Sequence, residues 1–443
     1  MSVAARLSDT QRRVARSWAQ PVYRSGYLLV GNSLLTAVTG VAFWLLAARL
    51  YPAEAVGLNS SAVSAMMLIA GIAQLNLMSS LLRFVPNAGR RAGSLILPAY
   101  AIGAILSLLA AVAFLLGLRV WAPALQPLLL SPVTAVSFVL AAALWPVWVM
   151  QSSVLVAVGH AGATTWTNQL FNGLKAVLLL AFFVVLPSSG VWYAWMAATG
   201  VGVLTGTWFL FRRAIPRFGD QTAGAPVQVP SRRDFVRFAG PDYVAALAWI
   251  AGTSLTPILV LNLTDARHAA VFALTWQICF VLYGVPSAQG LALVAHAARN
   301  PDELVAHHRR TLRTSIGLVA PVVLVLAAFA PLLLRPFGGW YASQGVGTLR
   351  LLALSALPNV LVTLAVSRAR VERRMATIVA AMTALCLIAL LLTWLLVPHI
   401  GIVGAAVAWL VGQTVVASAV GLRRLRRAPG RPAVAAPPAG SAA

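Results

Sequence analysis

One lysine and a handful of amides stand inside segments that are otherwise apolar, and they are the residues best able to do chemistry. Lys175, Asn172 and Asn168 follow Thr165 at spacings of 3, 4 and 3, which places all four on one helical face. Asn76, Ser80 and Arg83 form a second stripe, spaced 4 and 3. Gln74, Gln277, Gln289 and Asn32, with Thr36 and Thr39, are further polar groups within apolar runs. A cation with several amides suits an anionic, hydrogen-bonding ligand. Arginine grips phosphate through two bonds, and lysine acts as a point charge. Each residue also has a plain structural role open to it. Lys175 can reach back to the head groups, Arg83 can anchor at the interface, and amides can join helices.

Other chemistries lack their residues. The chain holds nine acidic residues, and the only one within an apolar run is Asp242, read as a cap on the N-terminus of its helix. The sequence shows no nucleophile–base pair, no glycine loop to cradle phosphate and no metal-ligand cluster. No enzyme activity, cofactor or metal is expected. Cys279 and Cys386 read as small hydrophobes.

The elements that position these groups are membrane helices. The chain is 60% hydrophobic and 9% charged, and a bilayer core of about 30 Å takes roughly twenty apolar residues per helix. Twelve such runs fall near 27–48, 59–83, 95–117, 133–157, 166–187, 191–211, 240–262, 269–296, 313–334, 348–367, 376–398 and 401–422. Their charges alternate from gap to gap. Of the 33 basic residues, 27 lie before the first run, in every second gap or after the last run. Five lie on the other side (Arg49, Arg119, Arg267, Arg335 and Arg350), and Lys175 lies within a span. This positive-inside pattern predicts cytoplasmic termini. It also assigns the net charge of +24 to lipid head groups rather than to nucleic acid. No secretory signal is expected at the N-terminus.

The reading is therefore an all-α polytopic membrane protein with an internal repeat. Tyr27 and Tyr243 open spans one and seven, 216 apart; Gln74 and Gln289 lie 215 apart; Gly190 and Gly401 open spans six and twelve, 211 apart. An even number of spans per half makes the repeat parallel, about an axis along the membrane normal. The predicted layout is an amphipathic segment at 1–26, a six-helix lobe at 27–211, a cytoplasmic linker at 212–238, a second six-helix lobe at 239–422, and a basic, disordered tail at 423–443. Prolines inside runs bend helices, and Pro257 and Pro286, in spans seven and eight, are candidate gating positions. Glu54 and Arg267, in repeat-related gaps opposite the basic side, are a candidate gating pair.

Residues 45–69 (LLAARLYPAEAVGLNSSAVSAMMLI) and 81–91 (LLRFVPNAGRR) resemble the start of the polysaccharide-transport, O-antigen flippase-like family. That family belongs to the multidrug/oligosaccharidyl-lipid/polysaccharide exporter superfamily. The segment 399–413 (HIGIVGAAVAWLVGQ) is similar to the family's last span. The resemblance implies two six-helix lobes around a V-shaped cavity lined largely by spans one, two, seven and eight. It also implies the cargo, a polyprenyl-diphosphate-linked oligosaccharide moved across the cytoplasmic membrane for surface polysaccharide synthesis. Lipid-linked oligosaccharide, membrane lipids and the glycosyltransferases or polymerase of such a pathway are the expected partners. A cation-coupled multidrug antiporter of the same superfamily is the alternative, although such antiporters generally carry an intramembrane carboxylate. A membrane-embedded glycan polymerase or glycosyltransferase is a third reading, disfavoured by the short gaps opposite the basic side.

Overall fold

The structure is a computed structural model, and it describes the backbone of residues 21–223, 232–297 and 303–425. The expected N-terminal segment, up to residue 20, and the tail from 426 lie outside the described residues. Among the described residues the regular structure is helical throughout. Without water in the bilayer core, a helix satisfies every backbone N–H and C=O within the segment itself. Thirteen helices carry the fold. The first lobe contains α1 (Pro21–Leu50), α2 (Ala53–Ala73), α3 (Leu77–Phe84), α4 (Ala92–Leu116), α5 (Pro132–Ala157), α6 (Ala161–Val185) and α7 (Gly190–Phe209). The second contains α8 (Arg232–Leu263), α9 (Ala266–Ala297), α10 (Leu304–Ala328), α11 (Gly339–Val371), α12 (Met375–Ile400) and α13 (Ile402–Leu425). Eleven helical stretches are long and apolar enough to cross a membrane, and Val38–Leu50 of α1 is a shorter apolar piece. The protein is a multi-pass membrane protein.

Span two is not one helix. Leu75 and Asn76 adopt φ of 49° and 56°, the left-handed region that a non-glycine residue rarely enters. The break divides α2 from α3. The prolines expected to bend gating helices lie elsewhere: Pro257 and Pro286 sit inside α8 and α9, which run unbroken past them. The described residues of the expected linker at 212–238, which are 212–223 and 232–238, are mostly helical. A π-turn at Leu210–Ala214 carries α7 into a short helix, Ile215–Gln221, and α8 resumes at Arg232. Pro216 lies just after the π-turn, where the i→i−4 ladder is already interrupted and a residue without an N–H costs least.

The helix packing obeys the repeat. In the first lobe α1 packs on α6, α6 on α7, α7 on α5, α5 on α4, and α2 on α5. In the second lobe α8 packs on α12, α12 on α13, α13 on α11, α11 on α10, and α9 on α11. Each pair has its counterpart six spans later. The lobes meet where α2 packs against α8 and α9. The ends of the spans that face the arginine-rich gaps are called here the basic face, and the others the neutral face.

Candidate functional site

Three of the four residues on the α6 stripe come together at a cavity. Asn168, Asn172 and Lys175 line a space of about 320 Å³ with Thr36, Gly40, Val41 and Trp44 of α1, Trp145 and Trp148 of α5, Phe171 of α6, Trp195 of α7, and Gln277 and Val281 of α9. The cavity thus lies in the first lobe and reaches the second only through α9. Thr165, the fourth member of the stripe, does not line it. Its hydroxyl is buried without a hydrogen-bond partner.

Lys175 lies deeper than the sequence suggested. The expected span opened at residue 166, but α6 begins at Ala161. At 1.5 Å per residue, Lys175 is therefore about 21 Å from the basic-face end of its helix and about 15 Å from the other. It does not reach back to the head groups, since its side chain is 2% exposed. Its ammonium stands 4.1 Å from the Trp195 ring centroid, 4.3 Å from that of Phe43 and 4.9 Å from that of Phe171. Three helices supply those rings. The Phe43 and Phe171 rings meet Trp195 edge-on, at 73° and 81°, so they stand as walls on either side of it. Aromatic faces attract a cation electrostatically, by about 2 kcal/mol when water is excluded. Among the described residues no carboxylate lines the cavity, and none of the ion pairs found among them involves Lys175.

The other candidates separate. Gln277 lines the cavity; Gln74 and Gln289 do not. Both are half-buried, and the Gln74 amide nitrogen has no hydrogen-bond partner. Asn76 serves the backbone break instead of a ligand: its side-chain oxygen accepts a hydrogen bond of 2.8 Å from Ser79, and its left-handed φ starts α3. Arg83 is exposed in the last turn of α3, with its guanidinium 5.5 Å from the Phe84 ring. It stands apart from Lys175, outside the cavity lining. The side chain of Asn32 lies outside the described residues. Thr36 lines the cavity and accepts a 3.4 Å hydrogen bond from Gln169, while Thr39 bonds back to the Leu35 carbonyl of its own helix. Asp242 is no helix cap. With α8 starting ten residues earlier, it lies within the helix and accepts hydrogen bonds of 3.0 and 3.2 Å from Arg370.

Sequence reasoning missed the tryptophans. Trp44, Trp145, Trp148 and Trp195 all line the cavity. Tryptophan in membrane proteins concentrates at the two interfaces, so Trp145 and Trp148 near the middle of a span were the signal available.

At the neutral face the lobes are joined. Glu54 pairs with Arg267 at 3.1 Å, and that guanidinium lies 4.3 Å from the Trp340 ring centroid. Arg49 donates to the Pro336 carbonyl. Asn262 donates to the Trp121 carbonyl at 3.0 Å and accepts from the Ala124 N–H at 3.3 Å. Gly57 abuts α9 so closely that an added Cβ would lie 1.8 Å from the Ala266 carbonyl oxygen, so only glycine fits. His268 bonds Asp265 at 2.6 Å. Partial burial works to raise the Asp265 pKa, but hydrogen bonds and charge from His268 outweigh it and hold the carboxyl below its usual value. Toward the basic face, the Arg90–Asp220 and Arg370–Asp242 ion pairs do not cross between the lobes, but the Tyr243 hydroxyl of α8 donates across them to the Ile72 carbonyl of α2 at 2.6 Å.

No family model matches the sequence, and no curated protein sequence matches it. Solved structures do match. An inward-facing multidrug-resistance MATE transporter of the MOP superfamily superposes with a TM-score of 0.65 at 17% identity, over 90% of this chain and 98% of that one. An outward-facing conformation of a MATE transporter gives 0.57 at 17% identity, over 92% and 95%. A MOP superfamily transporter from Pyrococcus furiosus, described as having a binding pocket of reversed polarity that suggests a different function, gives 0.56 at 16% identity, over 93% and 96%. The chain has a MATE-like fold, twelve spans in two lobes. At these identities the likeness is one of fold.

Proposed function

We propose that this protein is a transporter of the cytoplasmic membrane that carries an amphiphile with an anionic head group by alternating access, with the cavity around Lys175 as the binding site. The observation that carries this reading is a cation in a cavity whose described lining includes four tryptophans and no carboxylate. An anionic group meets Lys175 there, the amides of Asn168, Asn172 and Gln277 offer hydrogen bonds, and the indoles pack against apolar or ring surfaces. Arginine placement makes the basic face cytoplasmic, so the joined neutral face is outward and cargo enters from inside. The Glu54–Arg267 pair then belongs to the outward gate.

The finer reading is a lipid-linked oligosaccharide, supported by the lining chemistry and by the resemblance at residues 45–69, 81–91 and 399–413. The second reading, a cation-coupled multidrug antiporter, is the one that the MATE neighbours favour. One experiment separates them. Proteoliposomes holding the protein should move a fluorescent short-chain polyprenyl-diphosphate disaccharide between leaflets and should fail to accumulate ethidium under a proton or sodium gradient. Ethidium accumulation without lipid movement selects the antiporter.

A further inference from the structure

The cavity's cation and its rings pose a question that cargo binding alone does not answer. Phe43, Phe171 and Trp195 surround the Lys175 ammonium on three sides at 4.1 to 4.9 Å. An aromatic cage of this kind recognises alkylammonium ions in general, because each ring face presents its negative quadrupole to the charge. Here the cage already holds a cation, delivered by the protein's own chain. The tether is short and the side chain is 2% exposed, so its effective concentration at the rings far exceeds that of any free solute.

We propose that Lys175 is a built-in occupant of an aromatic cation site, and that it excludes organic cations from the cavity. It does so in two ways. It fills the space between the rings, and its charge repels a second cation that approaches through the cavity, where no carboxylate among the described residues offsets the repulsion. Specificity then comes from a repulsive element as well as an attractive one. The same ammonium that attracts an anion bars a cation from the rings. Removing the lysine side chain should therefore leave an open, electron-rich cage continuous with the 320 Å³ cavity, of a size to admit a small quaternary ammonium. The inference rests on the reading that this cavity is the cargo site, and it deepens that reading by assigning its selectivity to one residue.

The test is direct binding of radiolabelled tetramethylammonium to the purified full-length protein in detergent. The wild-type protein should show no saturable binding. Lys175→Ala should bind it at least about tenfold tighter, the equivalent of one desolvated cation–π contact. Lys175→Arg, which keeps the charge, should behave as wild type, and Lys175→Ala with Trp195→Leu should lose the gained site. Equal binding by wild type and Lys175→Ala would overturn the proposal, as would no binding by a monodisperse Lys175→Ala. If that variant does not accumulate, the cage can be opened from the other side. Lys175 is the only lysine in the chain, so reductive methylation of Trp195→Leu reports on it alone apart from the terminal amine. Faster methylation than in wild type supports the caged ammonium, and an unchanged rate contradicts it. None of these readings depends on transport, so failure of the anionic-cargo proposal would show separately, as absent lipid movement with an intact cage.

Discussion

In the first lobe α6 meets α1 around a cation and a cavity; in the second, the repeat-related helices α12 and α8 come into close backbone contact. The offset of 211 between Gly190 and Gly401 places Cys386 opposite Lys175 in the repeat, and the offset of 216 between Tyr27 and Tyr243 places Gly252 opposite Thr36. A Cβ added to Gly252 would lie 3.5 Å from the Cys386 Cα, so these backbones are in contact where the first lobe keeps open space. The second lobe has its own aromatic cluster, but it is built on hydrogen bonds. The Trp409 indole donates to the Tyr283 hydroxyl at 2.9 Å, Tyr283 meets Ser355 at 2.7 Å, and Trp276 stacks edge-on against Trp409 at 4.8 Å. One scaffold thus supports a chargeable, hollow lobe and a neutral, solid one. The difference teaches that helix pairing is set by the repeat, whereas the occupant of each pair is set by a few side chains.

The hardest way to break this comparison is to make the lobes alike. Cys386→Lys places an ammonium where there is neither space nor a ring cage, and should destabilise the protein by about 3 kcal/mol or more. Loss of the monodisperse species in detergent is the expected reading, and a stable variant would mean the second lobe can also open a cation site. The reverse change is next in size. Lys175→Ala should lower cargo transport by roughly 10- to 100-fold, the equivalent of one charged hydrogen bond of about 1.5–3 kcal/mol, measured as leaflet exchange per folded molecule. Tyr283→Phe leaves the Trp409 indole N–H without its acceptor. It should cost about 1 kcal/mol in thermal melting and leave transport per folded molecule unchanged. An equal loss of transport would give the solid lobe a part in cargo handling. The smallest effect is expected at the gate. Glu54 and Arg267 are about half exposed, so Glu54→Gln should favour opening of the neutral face by less than about 1 kcal/mol. Spin labels across the two lobes at that face would register it as a modest gain in the longer distance.

Much of the fold was legible because hydropathy and arginine placement are strong signals in a membrane chain. The twelve spans, the six-and-six division and the parallel repeat all follow from them. The breaks were less legible. Leu75 and Asn76 carry no glycine or proline cue, so the interruption of span two stayed hidden, while Pro257 and Pro286 advertised bends that unbroken helices absorb. The stripe Asn168, Asn172 and Lys175 was readable from helical spacing alone. What surrounds Lys175 was not, since Phe43, Trp145, Trp148 and Trp195 come from three other helices, and no periodicity within one segment reports a contact between segments. Arg83 stays open on sequence alone, because a cation at a helix end looks the same whether it faces a cavity or the interface. The depth of Lys175 was missed because the apolar run was taken to open near residue 166, whereas α6 begins at Ala161.

The central claim is that a caged Lys175 meets an anionic head group, and the chain offers a direct probe of it. With a single lysine, protein grown on [ε-¹³C]lysine gives one lysine signal by NMR. The rings of Phe43, Phe171 and Trp195 should shift that signal upfield of a free lysine, and geranyl diphosphate, a soluble polyprenyl diphosphate, should move it in a saturable way. A signal at the free-lysine position that the diphosphate leaves unmoved would contradict both the cage and its ligand.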